Sequence, residues 1–197
     1  MHDNVFSPDY WDKAGATTNY YAILSVEKYR IPEEFWACSP NVEVMLALDK
    51  NQIFLDVGCG FGRVGYHVAP KVKEYYGVDY SKEMVARAKE FSKFSNSKFS
   101  ANNGKDLSEF PDRMFDIVHT TLMLQHVPKS QIFRYIEEFA RVVKANGKIF
   151  CYDIPRSDKY VNGLTKEEVE EAFNKLFKDV CIIPTSSYYT AIAGEVK

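Results

Sequence analysis

From Gln52 onward, apolar residues follow two alternating rhythms: short solid runs, then segments with an apolar position every three or four residues. Ile53-Phe54-Leu55-Asp56-Val57 is a solid run stopped by glycines, the pattern of a strand buried on both faces. Glu74 to Asp79, Lys98 to Asn102, Phe115 to Thr121 and Lys148 to Ile154 read as further strands. Between them, Ser81 caps a helix carrying Met84, Val85, Ala88 and Phe91 on one face. After Pro128 a second helix carries Ile132, Phe133, Ile136, Phe139, Ala140 and Val143, with Asn146-Gly147 as its stop. Thr165-Lys166-Glu167-Glu168 is a capping box opening a third, with Val169, Ala172, Phe173, Leu176 and Phe177 inward. Val180 to Ile183 and Tyr188 to Ala193 close the chain as a hairpin-like pair. Strands alternating with helices predict an α/β, doubly wound fold: a mostly parallel seven-stranded sheet with an antiparallel last strand.

Before the first strand the pattern changes. Ser7-Pro8 and Ser39-Pro40 each set a capping residue before a proline suited to the first helical position, and Pro32 and Pro40 bracket a piece containing Phe35 and Trp36. The expected organisation is one domain over residues 1–197. Residues 1–50 form an N-terminal helical extension acting as a cap, and residues 51–197 form the core. A chain of 197 residues can bury such a core without staples.

Composition narrows the partners. The net charge is −2, and the 25 basic residues are scattered, which argues against a nucleic-acid partner. Cys38, Cys59, Cys151 and Cys181 show no ligand spacing, so no metal site is expected and the thiols read as reduced. No apolar run reaches membrane-spanning length, and the start lacks the features of a signal peptide. A cytoplasmic protein without a membrane partner is the expectation; nothing in the sequence fixes its oligomeric state.

The chemistry concentrates in Leu55-Asp56-Val57-Gly58-Cys59-Gly60-Phe61-Gly62-Arg63, which follows a strand and opens a helix. Glycines there let the backbone turn sharply and approach a ligand with no Cβ in the way. Asp79 ends the next strand, where one carboxylate can accept from two vicinal ribose hydroxyls. The dinucleotide fingerprint G-x-G-x-x-G fails at its third glycine, which is Arg63 here.

The order Asp-x-Gly-x-Gly-x-Gly-Arg resembles motif I of the class I (Rossmann-like) S-adenosylmethionine-dependent methyltransferases, and Asp79-Tyr80-Ser81 resembles their second motif. The resemblance runs from about Asn51 to the C-terminus. It implies S-adenosyl-L-methionine as cofactor and S-adenosyl-L-homocysteine as product. The positions it assigns to the cofactor are Asp56, Gly58, Cys59, Gly60, Arg63, Asp79, Tyr80 and Met84, then Asn103, Gly104 and Lys105 for adenine, and Thr121 and Leu122 beside the methionine portion. Arg63 keeps two readings, a salt bridge to a nearby acid or a contact to the methionine carboxylate. Asp116 reads as structural.

Methyl transfer from a sulfonium needs alignment and exclusion of water more than a fixed set of reactive side chains. His126, in the loop after the fourth strand, is the candidate base; His119, inside that strand, reads as a core histidine. The connection Pro155–Leu164 is too short to cover a site, which shifts that task to Tyr10, Trp11, Tyr20 and Tyr21 as lid and substrate wall. The expected function is methyl transfer to an unidentified acceptor, with a small molecule as substrate. A protein or RNA methyltransferase, and a cofactor-binding protein without transfer activity, are the alternatives.

Overall fold

The computed structural model describes residues 8–16, 32–37 and 47–197. Two helices precede the sheet: α1 (Pro8–Ala16) and α2 (Pro32–Ala37). The sheet region runs β1 (Ile53–Val57), α3 (Arg63–Val68), β2 (Glu74–Asp79), α4 (Lys82–Phe91), β3 (Ser97–Ala101), β4 (Phe115–Thr121), α5 (Lys129–Val142), β5 (Val143–Pro155), α6 (Lys166–Leu176), β6 (Val180–Pro184) and β7 (Tyr188–Gly194). Tyr20, Tyr21 and the Ser39-Pro40 start lie outside the described residues.

The seven strands lie in the order β3-β2-β1-β4-β5-β7-β6. The first five strands pair in parallel, while β7 runs antiparallel to both β5 and β6. From β1 the chain builds outward to β3 and then returns to place β4 on the other side of β1. That reversal opens a crevice at the carboxyl ends of β1 and β4, where ligands of open α/β sheets sit.

Alternation along β1 fills both faces. Leu55 and Val57 join Ile132, Ile136 and Phe139 of α5 and Val169 and Phe173 of α6 in one apolar layer. Phe54 faces the other way, with Val64 and Val68 of α3 and Val85 and Ala88 of α4. Each such large side chain, taken from water to full burial, contributes roughly 1.5–3 kcal/mol. The capping box at Thr165 forms as the sequence predicts, with Glu168 N–H donating to Thr165 Oγ1 at 3.2 Å and Thr165 N–H donating to Glu168 Oε2 at 2.9 Å.

Three boundaries differ from the sequence reading. The third strand starts at Ser97 and ends at Ala101, where the Asn102 N–H makes the last ladder bond, to the Asp79 carbonyl at 2.9 Å. The helix after Pro128 stops at Val142, before Asn146-Gly147. Val143 is buried opposite Phe115 and already belongs to β5, whose register to β4 shifts before Ile117. Asp116 takes the structural role expected of it: its carboxylate accepts from the Ile53 N–H at 2.8 Å and from Lys144 Nζ at 2.8 Å.

Candidate cofactor site

The glycine loop folds back onto β2. Gly58 and Cys59 both donate N–H to the Val78 carbonyl, at 2.8 and 3.0 Å, which brings the loop over the end of that strand. Gly58, Gly60 and Gly62 take φ of 79°, 52° and 82°, a region that a Cβ disfavours. At Gly58 a side chain would also collide, since a Cβ there stands 2.6 Å from Met123 Cβ.

Asp79 stands at the centre of this arrangement. Its Oδ2 accepts from the Gly60 N–H and its Oδ1 from the Ser81 N–H, each at 2.9 Å. Burial raises its pKa to about 6, although the two backbone donors oppose that rise. The carboxylate is therefore fixed in direction yet keeps further lone pairs on both oxygens.

A cavity of about 300 Å³ opens in front of it. Gly58, Gly60, Asp79, Tyr80 and Met84 form one side of its lining, Asn103, Gly104 and Lys105 another, and Thr121, Leu122 and His126 a third. Trp11 of α1 reaches it from the N-terminal region. These are twelve of the sequence-named positions, brought together from five separate stretches of chain.

The loop after β3 is shaped by its own side chains. Asn103 Oδ1 accepts from the N–H groups of Lys105 and Asp106, at 2.7 and 3.0 Å, and its amide donates to Asp106 Oδ1 at 2.7 Å. Asn103 is thus committed to building the turn. Gly104, at φ 68°, lies so close to the Tyr80 ring that a Cβ would stand 2.6 Å from Cδ2. Helix α5 holds the far end of the loop: Glu138 Oε2 accepts from the Leu107 N–H, and Arg141 donates to the Leu107 and Phe110 carbonyls.

His126 ends a single 3-10 turn, Leu124–His126. Its ring meets Trp11 edge-on, with centroids 4.9 Å apart at 69°. Burial lowers its pKa to about 4, so the imidazole is neutral at physiological pH. Leu122, just before, takes φ 59°, an uncommon conformation for a residue with a side chain. Asn162 braces this turn from the Pro155–Leu164 connection, donating to the carbonyls of Gln125 and Val127 at 3.0 and 2.7 Å.

Four sequence-named positions stand away from the cavity. Asp56 is 1% exposed, with Oδ2 taken by the Tyr75 hydroxyl at 2.6 Å and Oδ1 by His119 Nδ1 at 2.8 Å. Both of its oxygens therefore serve the core. Cys59 turns its side chain into the apolar layer with Phe54 and Phe99, where burial pushes its thiol pKa well up. Arg63 is buried at the start of α3; burial raises the Asp153 pKa to about 7 and the Arg63 charge opposes that rise. Tyr10 packs edge-on against Trp11, centroids 5.0 Å apart, and supports it from behind.

Asn102, Met123, Val127 and Pro128, which neighbour the named positions, also line the cavity, as do Gln131 and Tyr135 of α5, which the sequence did not single out. Among the described residues, no group of three or more His, Cys, Asp or Glu is placed to hold a metal ion. No described helix is long and apolar enough to cross a membrane.

Residues 55–151 match the family described as a methyltransferase domain. The chain is 33% identical over 120 residues to an uncharacterized methyltransferase, YcgJ, of Bacillus subtilis, covering 57% of this chain and 46% of that one. It is 30% identical over 154 residues to the ubiquinone biosynthesis O-methyltransferase of Coxiella burnetii, covering 77% and 59%. The chain spans about half the length of the curated relatives it matches. Among solved structures, a DhpI complex with S-adenosylhomocysteine superposes with a TM-score of 0.70 at 17% identity, covering 99% of this chain and 98% of the other, and thereby shares its fold. Residues 55–151 thus match a methyltransferase domain, and the fold is that of the class I S-adenosylmethionine-dependent methyltransferases.

Proposed function

We propose that the protein transfers the methyl group of S-adenosylmethionine to a small-molecule acceptor. The observation that carries this reading is the Asp79 carboxylate, held by two backbone donors at the edge of a cavity that the glycine loop and the β4 end enclose. The donor set fits the cofactor. Vicinal ribose hydroxyls would donate to the free lone pairs of Asp79, and backbone groups of 103–105 would meet the adenine edge. The methionine portion would lie along Gly58, Gly60 and Thr121. When bound, the cofactor supplies an electrophilic methyl group on a sulfonium, which leaves as a neutral thioether.

The protein's own part is alignment and cover. Trp11, Leu122 and Met123 wall the cavity with apolar surface that keeps water from the reacting centre. His126, neutral at physiological pH, is the group placed to accept a proton from an acceptor hydroxyl or amine. A small-molecule acceptor suits a cavity of this size, and the Coxiella relative is named for O-methylation in ubiquinone biosynthesis. The single domain with its N-terminal helices as cap belongs to the same proposal.

The test is a transfer screen with methyl-labelled cofactor against separate metabolite, peptide and RNA pools. Label entering the metabolite pool alone supports the reading. Label entering only peptide or RNA overturns the small-molecule acceptor, and no transfer to any pool overturns the activity.

A further inference from the structure

Helix α1 reaches the cavity through Trp11, and the next residue, Asp12, contacts the start of α4 beside it. Trp11 packs on His126, on the β4 side. Asp12 reaches the β2 side, where its Oδ1 accepts from Ser81 Oγ at 2.5 Å and from the Glu83 N–H at 3.4 Å. Ser81 is also the cap of α4, since its Oγ accepts from the Met84 N–H at 3.1 Å, and its own N–H holds Asp79 Oδ1 at 2.9 Å. One serine thus joins α1, the start of α4 and the candidate ribose carboxylate.

The contact is built along the whole helix. Asp12 satisfies an N–H in the first turn of α4, which has no partner within its own helix, and its charge lies at that helix's positive end. At the other end of α1, Arg87 of α4 donates to the carbonyls of Gly15 and Ala16, each at 3.4 Å. Between them the helices approach so closely that a Cβ on Gly15 would stand 2.8 Å from Glu83 Cβ and 2.9 Å from the Met84 nitrogen. The charges of Asp9 and Asp12 also act on the Tyr80 phenol, which lies between Asp79 and Ser81 and lines the cavity.

We propose that Asp12 is a positioning residue that latches α1 across the cofactor cavity through Ser81, so that bound cofactor and docked helix hold one another in place. The inference rests on the cofactor reading above. A ligand seated on Asp79 fixes Ser81 through their shared hydrogen bond, and Ser81 in turn offers its hydroxyl to Asp12. With α1 docked, Trp11 closes the wall beside His126, and release of the ligand requires the latch to open. Linkage makes the effect mutual.

The experiment measures S-adenosylhomocysteine release from the full chain by stopped-flow chase. Asp12→Ala should release it at least tenfold faster, with association changed by less than threefold. Asp12→Asn keeps an oxygen that accepts from Ser81 and should stay within threefold of the parent. Gly15→Val, which wedges α1 from α4 at Glu83 and Met84, should also speed release, and it carries the test if Asp12→Ala fails to fold. Release within twofold of the parent in Asp12→Ala overturns the latch, as does equally fast release from Asp12→Ala and Asp12→Asn. A parent protein that binds no S-adenosylhomocysteine overturns the cofactor reading itself, a separate outcome.

Discussion

His119 and Asp56 form a buried pair across adjacent strands, Nδ1 to Oδ1 at 2.8 Å, with each side chain 1% exposed. The pair fastens β4 to β1 directly beneath the glycine loop, and the Tyr75 hydroxyl of β2 completes it from the other side at 2.6 Å. Three strands therefore share one carboxylate. It supports the loop without meeting what the loop holds.

Asp56→Ala accordingly acts on stability. It leaves the Tyr75 hydroxyl and a His119 nitrogen buried without their partner, at about 1–3 kcal/mol each. A loss of roughly 3 kcal/mol and a fall in Tm of several degrees are expected in denaturant and thermal melts. S-adenosylhomocysteine affinity measured well below the new Tm should change less than threefold. A large affinity loss without a stability loss would return Asp56 to the binding site.

Asp79→Ala should do the reverse. Two charge-assisted hydrogen bonds, at roughly 1.5–3 kcal/mol each before water compensates, stand behind an expected affinity loss of at least tenfold with the fold intact by circular dichroism. The pH dependence follows from the same group. Burial raises its pKa to about 6, so protonation removes the acceptor that ribose hydroxyls need. Affinity should be constant above pH 7 and fall as pH drops through about 6, approaching tenfold per unit below it. Without ligand the sign is opposite: the raised pKa favours the protonated fold, so this group's contribution to stability declines as pH rises from about 4 to 6. Calorimetric titration at several pH values reads both trends.

The difference between these two aspartates shows what the sequence makes legible. Asp79 ends its strand with the glycine loop opposite, and local spacing alone marks it. Asp56 precedes the glycines in a family motif, but strand alternation sets it on the face of Phe54, where Tyr75 and His119 wait from 19 and 63 residues away. No local pattern signals that trio. Tyr135 and Gln131 fail to stand out for another reason. They sit on α5 among a core stripe of Ile132, Ile136 and Phe139, and only the assembled fold turns them toward the cavity. The doubly wound, mostly parallel sheet was readable because solid runs and helical stripes alternate along the chain. The Asp12–Ser81 contact, 69 residues apart, was not.

His126 separates proton transfer from binding. Its pKa of about 4 keeps it unprotonated, so at saturating cofactor kcat should show no fall attributable to it between pH 7 and 5. His126→Gln should lower kcat by roughly 10²–10⁴ if a proton leaves the acceptor during transfer, with S-adenosylhomocysteine affinity within threefold of the parent. Steady-state kinetics on the acceptor found by the screen decides this, and an unchanged kcat removes His126 from proton transfer.

The central claim is that the glycine loop and Asp79 bind an S-adenosyl ligand, and isothermal titration of the full chain with S-adenosylhomocysteine tests it most directly. A micromolar Kd with one site per chain is expected, accompanied by a raised Tm, since ligand at about 100 times its Kd adds ~2.7 kcal/mol. NAD(H) should give no heat. Silence with S-adenosylhomocysteine, or equal binding of NAD(H), would contradict it.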